Sequence, residues 1–195
     1  MSSTELRWIR SSLNENATHT ALAMISRVER RRYETTPTAR QSGFLAGRLL
    51  LRRLVAELTG VEVADVQLTA VCPDCGGPHG RPVAPGTGLH LSLTHGADAV
   101  VAAASDRPVG IDAEAAIAPA AVLADIGSLT GHALLLRWTR TEAILKADGR
   151  GLRVDPAHVV IDGSRGWVDD AAARYDLSEV ELSAGVRVSV AVAAP

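Results

Sequence analysis

The chain has 195 residues, 47% of them hydrophobic and only 3% aromatic, with a formal net charge of −2 from 20 basic and 22 acidic side chains. That is enough for one large domain or two small joined halves, with a core built from Leu, Val, Ile and Ala. The near-neutral charge gives no general attraction to nucleic acid or to an anionic membrane, so neither is expected as a partner.

No segment approaches the roughly 18 apolar residues of a membrane span. The first residues, MSSTELRWIR, contain no apolar run of signal-peptide length. Cys72 and Cys75, the two cysteines, are too few for a disulfide framework and suit a reducing compartment. The expectation is a soluble, cytoplasmic monomer.

In chain order, residues 5–10 read as a short strand. From about Thr20 the pattern is helical until Thr35-Thr36-Pro37 breaks it. Ala39 to Leu58 is the strongest helix, with Leu51, Leu54, Val55 and Leu58 at i, i+3, i+4 and i+7 and Gly60 as a stop. Arg40, Phe44 and Arg48 recur every four residues on one face, and arginines crowd the stretch from Arg27 to Arg53, which suits a local anion site. CPDCGGPHGRPVAPGTG must be turn and loop. LHLSLT, AVVAAAS and PVGIDAE then read as strands. A second helix is predicted from about His132 to Ala147, closed by Asp148-Gly149. HVVID and VRVSVAVAA are further strands, joined by WVDDAAARYDLSEVEL as a connecting piece. Helix followed by antiparallel strands occurs twice, so the class is α+β, mostly antiparallel, with halves 1–105 and 106–195.

Several residues could carry chemistry. Asp112 and Glu114 lie two apart on a strand and so share a face. Paired carboxylates repel and are stabilised as ions by a hard cation such as Mg²⁺; a solvated surface strand is the plain alternative. Glu142 and Lys146 stand one helical turn apart, either as an ordinary surface pair or as a third carboxylate plus a phosphate-binding cation. Arg40, Arg48, Arg81, Thr94 and His95 form a cationic and hydroxyl set, with Thr94-His95 at a strand end where side chains emerge at the sheet rim. Cys72 and Cys75, with His79 nearby, could supply part of a zinc site or be a reduced Gly/Pro turn, since no second ligand pair follows.

Taken together, GIDAE followed by RWTRTEAILKADGRGL resembles the paired signature of the 4′-phosphopantetheinyl transferase superfamily. The Arg-rich helix with RQSGFLAGR, the Gly80-Arg81-Pro82 turn and the strand ending Ser92-Leu93-Thr94-His95 fall in that family's order, so the resemblance covers roughly residues 27–152. It implies two similar α+β halves about a pseudo-twofold axis, with coenzyme A in the cleft between them. It implies Asp112, Glu114 and Glu142 as Mg²⁺ ligands, and Arg81, Thr94, His95 and Lys146 as phosphate and nucleotide contacts. Arg40 and Arg48 are similar to arginines that hold the 3′-phosphate in some members, and Trp138 fits a packing anchor.

The implied reaction is holo-carrier-protein synthesis. The phosphopantetheine of coenzyme A passes to a serine of an apo acyl or peptidyl carrier protein, with Glu142 as base and Lys146 offsetting charge on the leaving 3′,5′-ADP. Two departures stand out. Thr141 replaces the family's usual Lys, removing a cation beside the metal, and the segment 115–137 is short. They motivate an alternative, a catalytically decayed coenzyme A or carrier-protein binding module. A zinc-knuckle protein contacting nucleic acid is a third reading, which the charge and the few aromatics oppose.

Overall fold

The computed structural model describes residues 4–96, 98–115, 131–182 and 186–195. It is an α+β protein in which the described residues form four α-helices and two antiparallel sheets. The chain divides into two compact units, Met1–Asp106 and Arg107–Pro195.

The first unit opens with strand β1, Thr4–Arg10. Helix α1, Glu15–Met24, starts where the Asn14 side chain accepts from the Ala17 N–H. Helix α2, Arg27–Thr35, starts at a capping box, Ser26 and Glu29 each accepting from the other's backbone N–H. The single helix expected from Thr20 is therefore two, starting earlier and parted at Ile25-Ser26. Helix α3, Thr38–Thr59, ends on Gly60 at φ 73°, a left-handed turn that glycine enters without steric cost. Strands β2, His90–Gly96, and β3, Ala99–Ser105, complete a sheet of order β1-β3-β2.

Helix α3 supplies the core. Leu50, Leu51, Leu54 and Val55 pack with Leu91, Val100, Ala102 and Ala104, while Leu45 and Leu49 pack with Ala21 and Ile25 of the α1 end. Leu58, expected on the buried stripe, is exposed in the last helical turn.

In the second unit, strand β4, Val109–Ala115, is followed by helix α4, Gly131–Asp148. Strands β5, Val159–Asp162, β6, Arg165–Val168, β7, Tyr175–Leu182, and β8, Val186–Ala193, complete a sheet of order β4-β8-β7-β6-β5. The piece read as a connection thus holds the end of β6 and all of β7. Exposed Asp, Ser and Glu alternate with Tyr175 and Leu177 at its start, but Val180 faces out and blurs the pattern. Ala143, Ile144 and Ala147 of α4 pack on Val159, Val168, Tyr175, Leu177 and Ala191.

In both units the first described strand pairs with the last: Thr4 lies opposite Ser105, and Val109 opposite Val192. No helix among the described residues is long and apolar enough to cross a membrane.

Candidate functional site

Strand alternation puts Gly110, Asp112 and Glu114 on one face of β4, and α4 packs on that face. Gly110 makes the close approach possible. A Cβ there would lie 2.0 Å from the Ala143 carbonyl oxygen and 2.3 Å from the Ala147 nitrogen, so any larger residue would force helix and strand apart. Thr139 of α4 adds a hydroxyl contact of 2.8 Å to Ser189, the β8 residue opposite Asp112. These two contacts set the last turns of α4 over the acidic end of β4.

Lys146 lands on Asp112. Its Nζ donates to Asp112 Oδ1 at 2.6 Å and to the Ile111 carbonyl at 3.1 Å. Lys146 therefore makes its ion pair across to the strand, and Glu142, one turn back, feels it through charge alone. Both glutamate carboxyls are held above the usual carboxylate range. For Glu114 the cause is burial and then the Asp112 charge, against Lys146. For Glu142 it is burial, with Lys146 opposing and Asp112 adding. Lys146 acts on all three carboxylates, and its charge does not outweigh the burial of the two glutamates.

An all-oxygen donor set is of the kind that Mg²⁺ takes, and Asp112, Glu114 and Glu142 are the residues that could hold it. The three carboxylates are spread. Among the described residues, the one set of three or more His, Cys, Asp or Glu whose ligand atoms all lie within 4.8 Å of one another is Cys72, Cys75 and His79. Mg²⁺ usually binds through one or two carboxylates and keeps several waters, so in this arrangement one or two of the three would ligate directly and the rest through water.

The remaining predicted site residues belong to the first unit. Arg40 is exposed near the start of α3. Arg48 is buried, its guanidinium 5.1 Å above the Phe44 ring and 3.6 Å from Glu29. Glu29 also takes Arg52 in a two-pronged pair, at 2.6 and 3.2 Å. This buried cluster escaped the sequence reading, although the Ser26-Arg27-Val28-Glu29 capping pattern was its visible signal. Arg81 donates to the Leu91 carbonyl at 3.1 Å. His95 is exposed on the α3 side of β2, 3.3 Å from the Gly43 carbonyl. Thr94 points to the opposite face and is buried, so only His95 emerges at the rim as expected for both.

Two expectations about α4 change, at Trp138 and Thr141. Trp138, read as a packing anchor, is 42% exposed, because it stands off the face that meets the sheet. Thr141 is buried, at 5% exposure, so a lysine there would have to leave the interior to reach a phosphate. Arg140 is held by Glu179 at 2.6 Å and by the Gly163 carbonyl at 3.2 Å. Of the short segment 115–137, residues 116–130 lie outside the described residues. Comparison with protein-family models and with curated proteins gives no match for this chain.

Proposed function

We propose that this chain is a Mg²⁺-dependent 4′-phosphopantetheinyl transferase that moves the phosphopantetheine arm of coenzyme A to a serine of an apo acyl or peptidyl carrier protein. The observation that carries the reading is the acidic cluster of β4 and α4, where Lys146 grips Asp112 and two glutamates stay under-compensated beside it. The sequence order of the GIDAE strand, the EAILK helix segment and the Gly80-Arg81-Pro82 turn adds to it. Two similar α+β halves, with the pseudo-twofold relation that the resemblance implies, belong to the same reading.

In this reading the serine Oγ forms a bond to the β-phosphorus of coenzyme A. The bond to the bridging oxygen breaks, and 3′,5′-ADP leaves with the electron pair. Bound Mg²⁺ supplies charge neutralisation at the pyrophosphate. Glu142, directly or through a water, would accept the serine proton. Lys146 has three N–H donors; two hold Asp112 and the Ile111 carbonyl, and the third serves a phosphate oxygen. Arg81, Thr94 and His95, with Arg40 and Arg48, are assigned to the nucleotide end.

The test mixes the protein with coenzyme A, Mg²⁺ and a panel of apo carrier proteins, and reads intact masses for added phosphopantetheine. Asp112→Ala, Glu114→Ala and Glu142→Ala should each lose at least about a hundredfold in rate while remaining folded. Coenzyme A binding with no transfer to any carrier would favour a decayed binding module instead.

A further inference from the structure

The most compact ligand-bearing cluster of the described residues lies far along the sequence from the acidic site, in the loop between α3 and β2. Cys72 is buried there, whereas Cys75 and His79 are exposed. Their ligand atoms all fall within 4.8 Å of one another, and Cys75 Sγ stands 3.0 Å from His79 Nε2. Spacing alone places two cysteines in a knuckle; it does not bring an imidazole back to them. The fold does this with a tight turn. Gly76, at φ 70°, donates to the Cys72 carbonyl at 2.9 Å, and the Cys72 N–H donates to Gly77 at 2.8 Å.

The surrounding backbone is shaped to keep the three donors together. A Cβ on Gly77 would lie 3.0 Å from the His79 ring and 3.2 Å from Cys75 Sγ. A Cβ on Gly80 would lie 2.1 Å from the Val71 carbonyl oxygen, so the strand-like return after His79 can press against the start of the knuckle only as glycine. The Gly77 N–H points at Cys75 Sγ from 3.4 Å, as backbone amides do toward thiolate ligands. Within the knuckle itself, residues 71–80, Cys72 is the one buried residue: Pro73, Asp74, Pro78 and His79 are all exposed. An irregular segment with so little apolar burial has little to offset the entropy lost on ordering.

We propose that Cys72, Cys75 and His79 bind a zinc ion that fastens this loop. Two thiolates and an imidazole are a soft donor set of the kind zinc takes, unlike the oxygen cluster of the other unit. With Zn–S near 2.3 Å and Zn–N near 2.0 Å, a tetrahedral ion spaces its ligand atoms by about 3.5–3.8 Å, a small expansion of the Cys75–His79 contact. Asp74, whose carboxylate is 3.8 Å from Cys72 Sγ, or a water completes the fourth position. The ion would hold the Gly80-Arg81-Pro82 turn that follows directly, so its role is to position Arg81 rather than to take part in chemistry. The inference stands whether or not the chain transfers phosphopantetheine.

The test uses the full chain, expressed with zinc in the medium and purified without chelator. Metal analysis should find about one zinc per chain, falling below roughly a fifth of that in Cys75→Ser and in His79→Gln. Both positions are exposed, so neither variant opens the core. Cobalt(II) added to the reduced, metal-free wild type should give visible d–d bands and a thiolate-to-cobalt charge-transfer band, the latter weakened in Cys75→Ser. Full zinc in His79→Gln would remove His79 from the site. Metal-free wild-type protein that stays colourless with cobalt after reduction would overturn the proposal, and a Cys72–Cys75 disulfide in the isolated protein would then be the better account of the knuckle.

Discussion

The two units handle buried carboxylates in opposite ways. In the first, one acid is surrounded by bases: Glu29 closes the α2 capping box, takes Arg52 in a two-pronged pair and lies 3.6 Å from Arg48. Burial alone would raise the Glu29 carboxyl, but the Arg52 hydrogen bond, the Ser26 amide and both guanidinium charges outweigh it and hold the group below its usual range. In the second unit, three acids share Lys146, and Glu114 and Glu142 are pushed up. A closed cluster with surplus cation is how a fold is fastened. A half-buried cluster in which several carboxylates share a cation costs stability, and such clusters are found where a ligand supplies further charge.

The largest test of this contrast is Glu29→Ala. It leaves Arg48 and Arg52 buried without their carboxylate and removes half of a capping box, so urea unfolding should report a loss of about 3–5 kcal/mol. A loss under about 1 kcal/mol would mean that the first cluster is no more a fastening than the second.

Thr141→Lys comes next. Because Thr141 is buried, the ammonium must be dehydrated or the α4 packing opened, and stability should fall by about 1–3 kcal/mol with no gain in transfer rate. A faster enzyme of unchanged stability would show that this face of α4 opens to the substrate.

The smallest effect is also the most diagnostic. Glu142→Gln removes one under-compensated charge, so the metal-free variant should melt slightly higher than wild type at neutral pH, on the order of 1–3 °C, since water screens a half-buried group. The sign follows from the raised carboxyl. The folded state takes up a proton more readily than the unfolded chain, so the penalty is present above the folded pKa and disappears as pH falls through it. Glu29 behaves in the reverse sense: its contribution is present above the unfolded value and is lost as pH falls through the lowered folded one. Acidification from neutrality should therefore relieve the second unit before it unfastens the first. A Glu142→Gln protein that melts lower, with the difference growing at neutral pH, would contradict the charge deficit.

Much of this was legible in the sequence wherever one element carries the signal. The α3 periodicity and its Gly60 stop, the three strands of residues 90–115 and the same-face placement of Asp112 and Glu114 all follow from local spacing. What was not legible depends on partners far away in sequence. Lys146 could be read only against Glu142, four residues back, because its actual partner Asp112 is set by how closely Gly110 lets α4 approach β4. The contacts of Arg48 with Glu29 and Phe44 join residues of two helices and a ring, which spacing along α3 does not reveal. Strand β7 was missed because Val180 faces outward and interrupts its alternation, and the start of α1 because Asn14 caps it well before its first buried residue.

The pairing of first strand with last has a consequence for how the molecule is made. On the ribosome, β1 emerges ahead of the rest of its sheet, yet its only described strand partner is β3, so Thr4 waits until Ser105 has been synthesised. At about 5–20 residues per second that is a delay of several seconds. During it, α1, α2 and α3 can form by local contacts while one strand has no sheet to join. The second unit repeats the order of events: β4, with its acidic residues, is made early and joins its sheet only when Val186–Ala193 arrives as β8. Each unit is thus a ring of sequence that closes at its seam. The acidic cluster is completed only after β8 has been made, when the strand that carries it is finally clasped.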